Sequence, residues 1–377
     1  SLAVAAIPEG LPTVITITLS VGISNLAKKK TVVKQMQAVE TLGAIDIICS
    51  DKTGTITQNK MTVKDEYVID EKMLNYICAL CNDGLIYKDK YVGDPTETCL
   101  YDYLYNKKIN SLNLRKKCER LLDVPFDSDR KMFTTLNKID DNVYVLCKGS
   151  MDSLIEKVNL SKTQKEEVLD KVKNFSKNAL RTLGFAYKKL DYVPKNIKEL
   201  EKEENNLSFA GILGMIDPPR KSVKESVALC KNAGIRPIMI TGDGIDTATT
   251  IAKDVGIITS DNEAILGSEL DKYNDKELED IVKKYSVYAR VNPTHKEKIV
   301  FALQSSGKIV AMTGDGVNDA PAIKDAHVGV GMGITGTDVT KSASDIVLMD
   351  DSFSTIVVAI EEGRRIYNNI RNNIVFS

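Results

Sequence analysis

The sequence predicts an α/β fold in which a parallel sheet is interrupted by a long inserted domain. Short apolar runs that end in Gly, Asp or Pro occur at residues 45–51 and again from residue 209 onward, with helical stretches between them. Strands that alternate with helices are typical of βαβ units and a parallel sheet. Residues 60–208 differ, because they are rich in Lys, Asn and charged helices. We therefore expect one α/β domain from residues 28–59 and 209–355, with an α+β domain from residues 60–208 inserted into it.

The first 27 residues, SLAVAAIPEGLPTVITITLSVGISNLA, contain one ionisable residue, Glu9. A stretch of this length could span or half-span a bilayer, and the three lysines that follow resemble the basic cytoplasmic flank of a membrane span. Residues 356–377 begin a helical stretch in which Arg364 and Arg365 precede IYNNIRNNIVFS. We expect membrane-span stubs at both ends of a region that faces the cytoplasm, within a multi-pass membrane protein. The alternative for residues 1–27 is a buried helix of a soluble protein.

Composition and spacing exclude several classes of function. The net charge is −1 and no basic stripe occurs, which argues against a nucleic-acid partner. No G-x-x-x-x-G-K-[ST] motif occurs, so a Walker-type phosphate loop is excluded. The pair Cys78 and Cys81 has no second pair or nearby His, and we interpret it as helix packing rather than a zinc site. His295, in NPTHKEK, is interpreted as a surface residue at the start of a helix.

Three apolar runs end in an aspartate within a similar motif. The run IDIICS is followed by Asp51 in DKTGT, while MITGDG and AMTGDG carry Asp243 and Asp315. Because the carboxyl ends of parallel strands meet at one edge of a sheet, these three aspartates should converge there. Clustered carboxylates repel one another unless a cation or a phosphate-bearing partner belongs to the site.

The residues at this edge are suited to carboxylate nucleophilic catalysis. A strand-end aspartate such as Asp51 can attack a γ-phosphoryl group and form an aspartyl phosphate. Such a transfer needs positioning and charge neutralisation more than proton handling. Asp315 and Asp319 lie four residues apart across a glycine turn and could hold Mg²⁺ through carboxylate oxygens and water. Hydrogen-bond donors and a fixed positive charge for the phosphoryl group are available from Thr53, Thr241, Gly242 and Lys296.

The motifs PEGLP, DKTGT, TGD, DPPR and GDGVNDAP, in this order, resemble those of the P-type cation-transporting ATPases over essentially the whole chain. The resemblance implies a haloacid-dehalogenase-like phosphorylation domain, a nucleotide-binding domain in the insert, and an ATP-hydrolysing enzyme with Asp51 as the phosphorylated residue. It implies Mg²⁺ ligands at Asp51, the carbonyl of Thr53, Asp315 and Asp319. It implies phosphoryl contacts and catalytic roles at Thr241, Gly242, Asp243, Lys296 and Asn318.

The resemblance also extends to residues that contact ATP. Phe126 in VPFDSDRKMF resembles the aromatic residue that stacks on adenine, and base–aromatic stacking is worth about 1–3 kcal/mol. The nucleotide contacts that it implies are Glu97, Phe126, Lys131, Lys148, Arg181, Asp217, Arg220, Arg290 and Thr53. Two departures stand out: this chain has KGSMD where the family often has KGAPE, and Gly244 replaces a bulkier polar residue after TGD.

Thr53 distinguishes this chain from soluble relatives of the same fold, which commonly have a second aspartate at this position as general acid and base. A threonine cannot deprotonate water, so the phosphoenzyme should hydrolyse slowly on its own. The resemblance implies that a separate actuator domain supplies the missing glutamate in a TGE loop, and no TGE occurs here. A long-lived phosphoenzyme suits a machine that changes shape between phosphorylation and hydrolysis.

The PEGLP motif bears on the transported ion. Pro8 and Pro12 free backbone carbonyls, and Glu9 would be an intramembrane carboxylate, so hard oxygen ligands for a cation are available. Such ligands suit Ca²⁺ or Mn²⁺. PEGLP followed by TVITITLSVG looks most like calcium pumps of the sarco/endoplasmic-reticulum, secretory-pathway and bacterial types, so we expect ATP-driven Ca²⁺ transport. The alternatives are a P-type pump for Mn²⁺ or Na⁺/K⁺, and a soluble haloacid-dehalogenase-type phosphatase.

Overall fold

A computed structural model describes residues 11–87 and 90–375, and only the backbone of residues 11, 12, 90 and 373–375. The strands are β1 (Thr31–Val33), β2 (Ile47–Asp51), β3 (Thr62–Val68), β4 (Leu85–Tyr87), β5 (Lys90–Val92), β6 (Glu119–Asp127), β7 (Met132–Ile139), β8 (Asn142–Gly149), β9 (Arg181–Leu190), β10 (Ser208–Ile216), β11 (Arg236–Ile240), β12 (Ala264–Leu266), β13 (Val287–Ala289), β14 (Val310–Gly314), β15 (Val328–Met332) and β16 (Ile346–Leu348).

The α-helices are α1 (Leu11–Lys28), α2 (Gln37–Gly43), α3 (Glu71–Leu80), α4 (Pro95–Asn106), α5 (Ser111–Lys117), α6 (Met151–Leu154), α7 (Lys162–Lys177), α8 (Ile197–Lys202), α9 (Val223–Asn232), α10 (Ile245–Asp254), α11 (Gly267–Leu270), α12 (Asp275–Lys284), α13 (Pro293–Ser305), α14 (Ala320–Asp325), α15 (Asp338–Ala343) and α16 (Phe353–Val375). The chain divides into two compact units: the sheet unit, residues 1–58 and 219–377, and the insert, residues 59–218.

The sheet unit is built on eight strands in the order β1-β16-β15-β14-β2-β11-β13-β12. All neighbouring pairs are parallel except β1 and β16, as the alternation of strands and helices predicts. The central strands are apolar along their length because helices cover the sheet. Leu278, Ile299 and Ile323, from three helices, share one buried cluster with Ile47 and Ile238 of the sheet. Full burial of each such side chain contributes about 1.5–3 kcal/mol.

The insert is an α+β unit with a six-stranded antiparallel sheet in the order β3-β10-β9-β8-β7-β6. Helices α3 and α4 pack on one face, where Leu74, Ile77 and Leu100 are fully buried. Helix α7 matches the charged stretch expected from the sequence, and its start is fixed by a capping box between Ser161 and Gln164.

The predicted end of the insert at residue 208 is wrong. Strand β10 pairs antiparallel with β3 and β9, so residues 209–216 belong to the insert's sheet and the boundary lies at residues 218 and 219. The run FAGILGMI is buried over seven successive residues, and such a run fits a covered strand in either type of sheet. The sequence pattern alone therefore could not assign this strand. The first boundary, expected between residues 59 and 60, lies one residue earlier, between 58 and 59.

Helix α16, near the end of the chain, packs against α1 and α2 from its beginning. A Cβ atom on Gly22 would lie 2.2 Å from Ile366 Cδ1, and one on Gly363 would lie 2.7 Å from Leu42 Cβ, so both glycines permit close helix packing. Helix α16 begins at Phe353, three residues before the expected stalk. Among the helices in residues 11–87 and 90–375, none is both long and apolar enough to cross a membrane. Residues 1–10, with Glu9 and Pro8, lie outside the described part of the chain.

We expect all seven cysteines to resist modification while the chain is folded, because all are buried and unpaired. Burial raises the pKa of Cys49, Cys81 and Cys99 to about 12, so almost no thiolate forms at pH 8. Cys78, in α3, and Cys81, directly after it, lie in the core, as the packing interpretation predicts. Titration with an aromatic disulfide reagent, before and after denaturation in urea, measures how many thiols react in the folded and unfolded chain. Rapid reaction of the native chain would contradict the burial.

Candidate active site

The three strands that precede Asp51, Asp243 and Asp315 lie side by side at the centre of the sheet. Strand β2 pairs with β11 on one side and with β14 on the other, all parallel. Asp51 ends β2, Asp243 follows β11, and Asp315 follows β14. The carboxyl ends of these strands therefore place the three aspartate motifs of this sequence at one edge, which is where ligands bind in open α/β sheets.

Lys296 connects the nucleophile candidate to a second carboxylate. It lies in the first turn of α13, and its Nζ donates to Asp51 Oδ2 at 2.5 Å and to Asp319 Oδ1 at 2.6 Å. Its side chain is only 10% exposed, so these ion pairs are shielded from water. The other oxygen of Asp319 accepts from the backbone N–H groups of Asp315 and Gly316, at 3.1 and 2.9 Å. Both oxygens of Asp319 are thus engaged inside the protein.

Asp51 is held differently, with one oxygen less constrained. Its Oδ1 accepts only a longer bond, at 3.3 Å, from the N–H of Thr53. Burial raises the pKa of Asp51 above its ordinary value of 3.8, although Lys296 opposes this, and the Asp319 carboxylate raises it further. Of the two carboxylates on Lys296, Asp51 is therefore better placed to attack a ligand.

The site holds more negative than positive charge. Burial and then the charges of Asp51 and Asp319 raise the pKa of Asp315, while a hydrogen bond from Thr335 opposes the shift. Burial lowers the pKa of Lys296, but the two carboxylates outweigh this and raise it above 10.5. One ammonium group, that of Lys296, thus pairs with Asp51 and Asp319, and Asp315 adds a third carboxylate without an ion pair to it. This imbalance favours a second cation or an added positive ligand.

Magnesium fits this donor set by its chemistry. Carboxylate and carbonyl oxygens are the ligands that Mg²⁺ prefers, usually with several waters. Within the part of the chain that the structure describes, no three carboxylate, imidazole or thiol side chains are already arranged around a metal position. Of the four predicted ligands, Asp51, Asp315 and the Thr53 carbonyl would hold an ion together with water. The fourth, Asp319, pairs with Lys296 in this structure.

Asp243 contacts a lysine instead of the other carboxylates. Its Oδ2 lies 2.8 Å from Lys52 Nζ, and the lysine side chain is 7% exposed. The side chain of Thr241 accepts from the N–H of Asp243 at 3.1 Å, which fixes the turn after β11. A Cβ atom on Gly242 would meet nothing within 4 Å, so the backbone there is open to a ligand. Arg290 donates its backbone N–H to the Asp243 carbonyl at 2.8 Å.

Arg220 stabilises the loop that follows the nucleophile candidate. Its guanidinium donates to the Gly54 carbonyl at 2.7 and 3.2 Å and to the Thr57 carbonyl at 3.1 Å. Gly54 has φ of +75°, a conformation that favours glycine. Asp217, its neighbour in DPPR, accepts from the N–H of Lys60 at 3.0 Å within the insert. In this structure Arg220 therefore stabilises the DKTGT loop through its carbonyls. Asn318, another predicted site residue, follows β14 and is exposed.

In the insert, three of the expected nucleotide residues lie together. Lys148, at the end of β8, forms an ion pair with Glu97 in the first turn of α4, and its side chain is 4% exposed. Arg181 Nη1 donates to Thr96 Oγ1, next to Glu97, at 3.4 Å. The Lys148 ammonium also lies 5.2 Å from the centre of the Phe133 ring. A buried lysine and a neighbouring arginine supply positive charge that suits an anionic ligand.

Phe126 lies near the end of β6, and Lys131 lies at the end of the turn that joins β6 to β7. The ladder is irregular between Val124 and Asp127, so Phe126 stands in a bulge and is 63% exposed. Lys131 has φ of +51°, and its carbonyl accepts from the N–H of Ser150 at 3.0 Å, just beyond Lys148. The turn thus presents an aromatic ring on the same sheet as Lys148.

Sequence reasoning missed two residues of the edge and misjudged a third. Lys52 is within DKTGT, directly after a buried strand, so its place at this edge could have been inferred from the motif, but its pairing with Asp243 could not. Thr335 comes from a loop with no motif of its own. His295 is at a helix start, as predicted, but it is buried rather than on the surface: its Nδ1 accepts from the N–H of Asn292 and its Nε2 lies 3.0 Å from Asp271 Oδ2.

Comparison with known proteins places the chain among similar sequences. A family model described as "P-type ATPase, cytoplasmic domain N" matches residues 71–222. The chain is 46% identical, over 100% of its length and 45% of the relative's, to "Calcium-transporting ATPase 1" of Bacillus cereus (strain ATCC 10987 / NRS 248). It is 38% identical, over 100% of its length and 44% of the relative's, to "Calcium-transporting ATPase 1" of Saccharomyces cerevisiae (strain ATCC 204508 / S288c).

A third relative carries a broader name. "Probable cation-transporting P-type ATPase" of Mycoplasma genitalium (strain ATCC 33530 / DSM 19775 / NCTC 10195 / G37) is 43% identical over 97% of this chain and 41% of its own length. The chain spans a little under half the length of these curated relatives. The match to the domain model lies within the insert and its second boundary, and the full-length matches include the carboxylate edge of the sheet unit. Over essentially its whole length, the chain is similar to part of these P-type and calcium-transporting ATPases.

Proposed function

We propose that the chain is the catalytic region of an ATP-driven Ca²⁺ pump, with the sheet unit as phosphorylation domain and the insert as nucleotide-binding domain. The observation that carries the proposal is the Asp51 carboxylate at the end of the central strand, 2.5 Å from the buried ammonium of Lys296. The family-model match to the insert supports the domain assignment. The names of the bacterial and yeast relatives support Ca²⁺ as the transported ion.

In the proposed reaction, an oxygen of Asp51 attacks the γ-phosphorus of ATP. An Oδ–P bond forms, the bond between that phosphorus and the bridging oxygen of ADP breaks, and ADP leaves. Lys296 holds Asp51 in place and offsets its negative charge, while the open backbone at Gly242 and the Thr241 hydroxyl can donate to phosphoryl oxygens. Mg²⁺, held by Asp51, Asp315 and the Thr53 carbonyl, would neutralise charge that develops on the transferred group.

Thr53 then limits hydrolysis, because it offers no carboxylate to deprotonate water two residues after the nucleophile. The same observation disfavours a free-standing soluble phosphatase, which needs such a base for turnover. We infer that the phosphoenzyme persists until a glutamate from an actuator domain reaches it. Transport through membrane spans would couple to that step, with Glu9 as one ligand of the transported cation.

We expect the full-length parent protein to form a hydroxylamine-sensitive phosphoprotein from labelled ATP only when micromolar Ca²⁺ is present. Aspartyl phosphates are cleaved by hydroxylamine, whereas phosphoserine and phosphothreonine are not, so the assay identifies the bond. Each cation is varied in turn at constant Mg²⁺. Labelling that required Na⁺ or Mn²⁺ instead would contradict the Ca²⁺ assignment and leave the ATPase chemistry standing.

A further inference from the structure

The insert contains a buried carboxylate that the proposed reaction does not use. Glu204, which follows α8, is 1% exposed, whereas most glutamates in proteins lie at the surface. Its Oε1 accepts from Thr134 Oγ1 at 2.7 Å, and its Oε2 accepts from Lys157 Nζ at 3.0 Å. Its Oε1 also forms an ion pair with Nη1 of Arg130. A buried charge with this many partners is specifically held, and removing it leaves those partners unpaired.

Arg130 connects Glu204 to the β6–β7 turn next to Phe126. Its Nη2 donates to the carbonyl of Pro125 at 2.8 Å and to that of Met132 at 3.0 Å. These carbonyls lie on opposite sides of the turn between β6 and β7, one of them directly before Phe126 and the other directly after Lys131. One planar guanidinium thus bridges the bulge on β6 to the start of β7, while its other nitrogen is fixed by Glu204.

The turn needs such a constraint, because its regular ladder is interrupted. The pairing of β6 with β7 shifts between Val124 and Asp127, so Phe126 lies outside the ladder. Asp127 Oδ1 accepts from the N–H groups of Asp129 and Arg130 at 2.8 and 2.9 Å, which closes the turn but does not bind Pro125. Among the hydrogen bonds of the described residues, those from Arg130 are the ones that reach the Pro125 carbonyl.

We propose that Glu204 is a positioning residue for nucleotide binding: through Arg130 it fixes the β6–β7 turn so that Phe126 and Lys131 face the adenine nucleotide. The inference rests on the proposed function of the insert. Glu204 itself touches no nucleotide, because it is buried behind Arg130 and Thr134. An exposed aromatic ring on an unconstrained bulge would lose conformational entropy on binding, whereas a turn fixed in advance loses little.

The test measures binding of the fluorescent analogue TNP-ATP, and its displacement by ATP, in the 377-residue chain. Glu204→Gln keeps the shape and removes the charge, and we expect it to weaken ATP binding on the order of tenfold, because hydrogen bonds to charged groups are strong. Glu204→Asp, which keeps the charge, should lose less ATP affinity than Glu204→Gln. The matched control is Glu201→Gln, because Glu201 is exposed on α8 only three residues away.

A double-mutant cycle separates positioning from a general loss of structure. In the Phe126→Ala background, Glu204→Gln should cause a smaller loss of ATP affinity than in the wild type, because the ring is gone and only Lys131 remains to be positioned. If Glu204→Gln binds ATP like the wild type, or if its full effect persists without Phe126, the inference is wrong. Circular dichroism and thermal unfolding establish that each variant is folded.

If Glu204→Gln does not fold, Arg130→Lys provides the same test. This variant keeps a positive charge beside Glu204 but removes the fork that reaches the Pro125 and Met132 carbonyls, so it should also weaken ATP binding and be non-additive with Phe126→Ala. Unchanged ATP affinity in folded Arg130→Lys would overturn the inference. If the wild-type chain does not bind TNP-ATP, or if ATP does not displace the bound analogue, the proposed nucleotide-binding function is wrong instead.

Discussion

The Asp51→Asn variant is expected to form no phosphoenzyme from labelled ATP, while its affinity for the nucleotide changes little. An amide oxygen is a poor nucleophile, so the Oδ–P bond cannot form. The contacts proposed for the adenine end of the nucleotide, such as Phe126, are on the insert, and the substitution alters the sheet unit only. Acid-stable labelling of the full-length parent measures the first effect, and TNP-ATP displacement in the 377-residue chain measures the second.

Asp254→Asn is the matched control for this change. Asp254 is an exposed aspartate at the end of α10 in the same unit, so its amide should leave phosphorylation intact. Labelling that persists in Asp51→Asn would show that another side chain accepts the phosphoryl group. Loss of labelling in both variants would point to a general effect of the substitutions rather than to the nucleophile.

Replacing Lys296 by Met should affect both catalysis and stability. Loss of this cation removes charge stabilisation at the reacting group, and the removal of one such donor typically lowers rates about 10²–10³-fold. It also leaves Asp51 and Asp319 buried without their shared ammonium, and breaking a buried pair from one side costs about 3–5 kcal/mol. Phosphorylation kinetics in the full-length parent and urea unfolding of the chain, followed by circular dichroism, measure the two effects.

The loss of stability in Lys296→Met should depend on pH in a defined direction. A carboxyl whose pKa is raised in the folded state destabilises the fold when it is ionised, so stability is lost as the pH rises through the raised pKa. Burial already raises the pKa of Asp51 above 3.8 with Lys296 present. The stability difference between wild type and Lys296→Met should therefore shrink on acidification from neutral pH. Lys308→Met, which changes an exposed lysine, should show no such trend. An equal loss at every pH would mean that packing, rather than charge, explains the effect.

The combination of Lys296→Met with Asp51→Asn tests the pair directly. The second substitution removes one of the two uncompensated carboxylates, so it should restore part of the stability that Lys296→Met loses. Purely additive losses would argue that the two side chains do not interact in solution. This cycle is independent of whether the chain can be phosphorylated.

Much of the sheet unit could be predicted from the sequence. Strands such as IDIICSD and KIVAMTGDG are short, apolar and end in Gly or Asp, so local pattern was sufficient to place Asp51 and Asp315 at strand ends. The same pattern failed for FAGILGMI, which pairs antiparallel in the insert. A strand that is covered on both faces has the same composition in either type of sheet, so the pairing partners, and not the residues, decide its place.

The sequence by itself determined which residues are candidates for the proposed chemistry: an aspartate, a lysine, two further carboxylates and a Thr-Gly turn, in an order that resembles that of P-type ATPases. Only the tertiary structure decided how their charges are paired. Lys296 is 245 residues from Asp51, yet their side chains meet at 2.5 Å, while Lys52 lies next to Asp51 in the chain and pairs with Asp243. The same holds for Glu204, whose 70-residue separation from Thr134 hides their contact. Such pairings depend on distance in space, which local patterns do not encode.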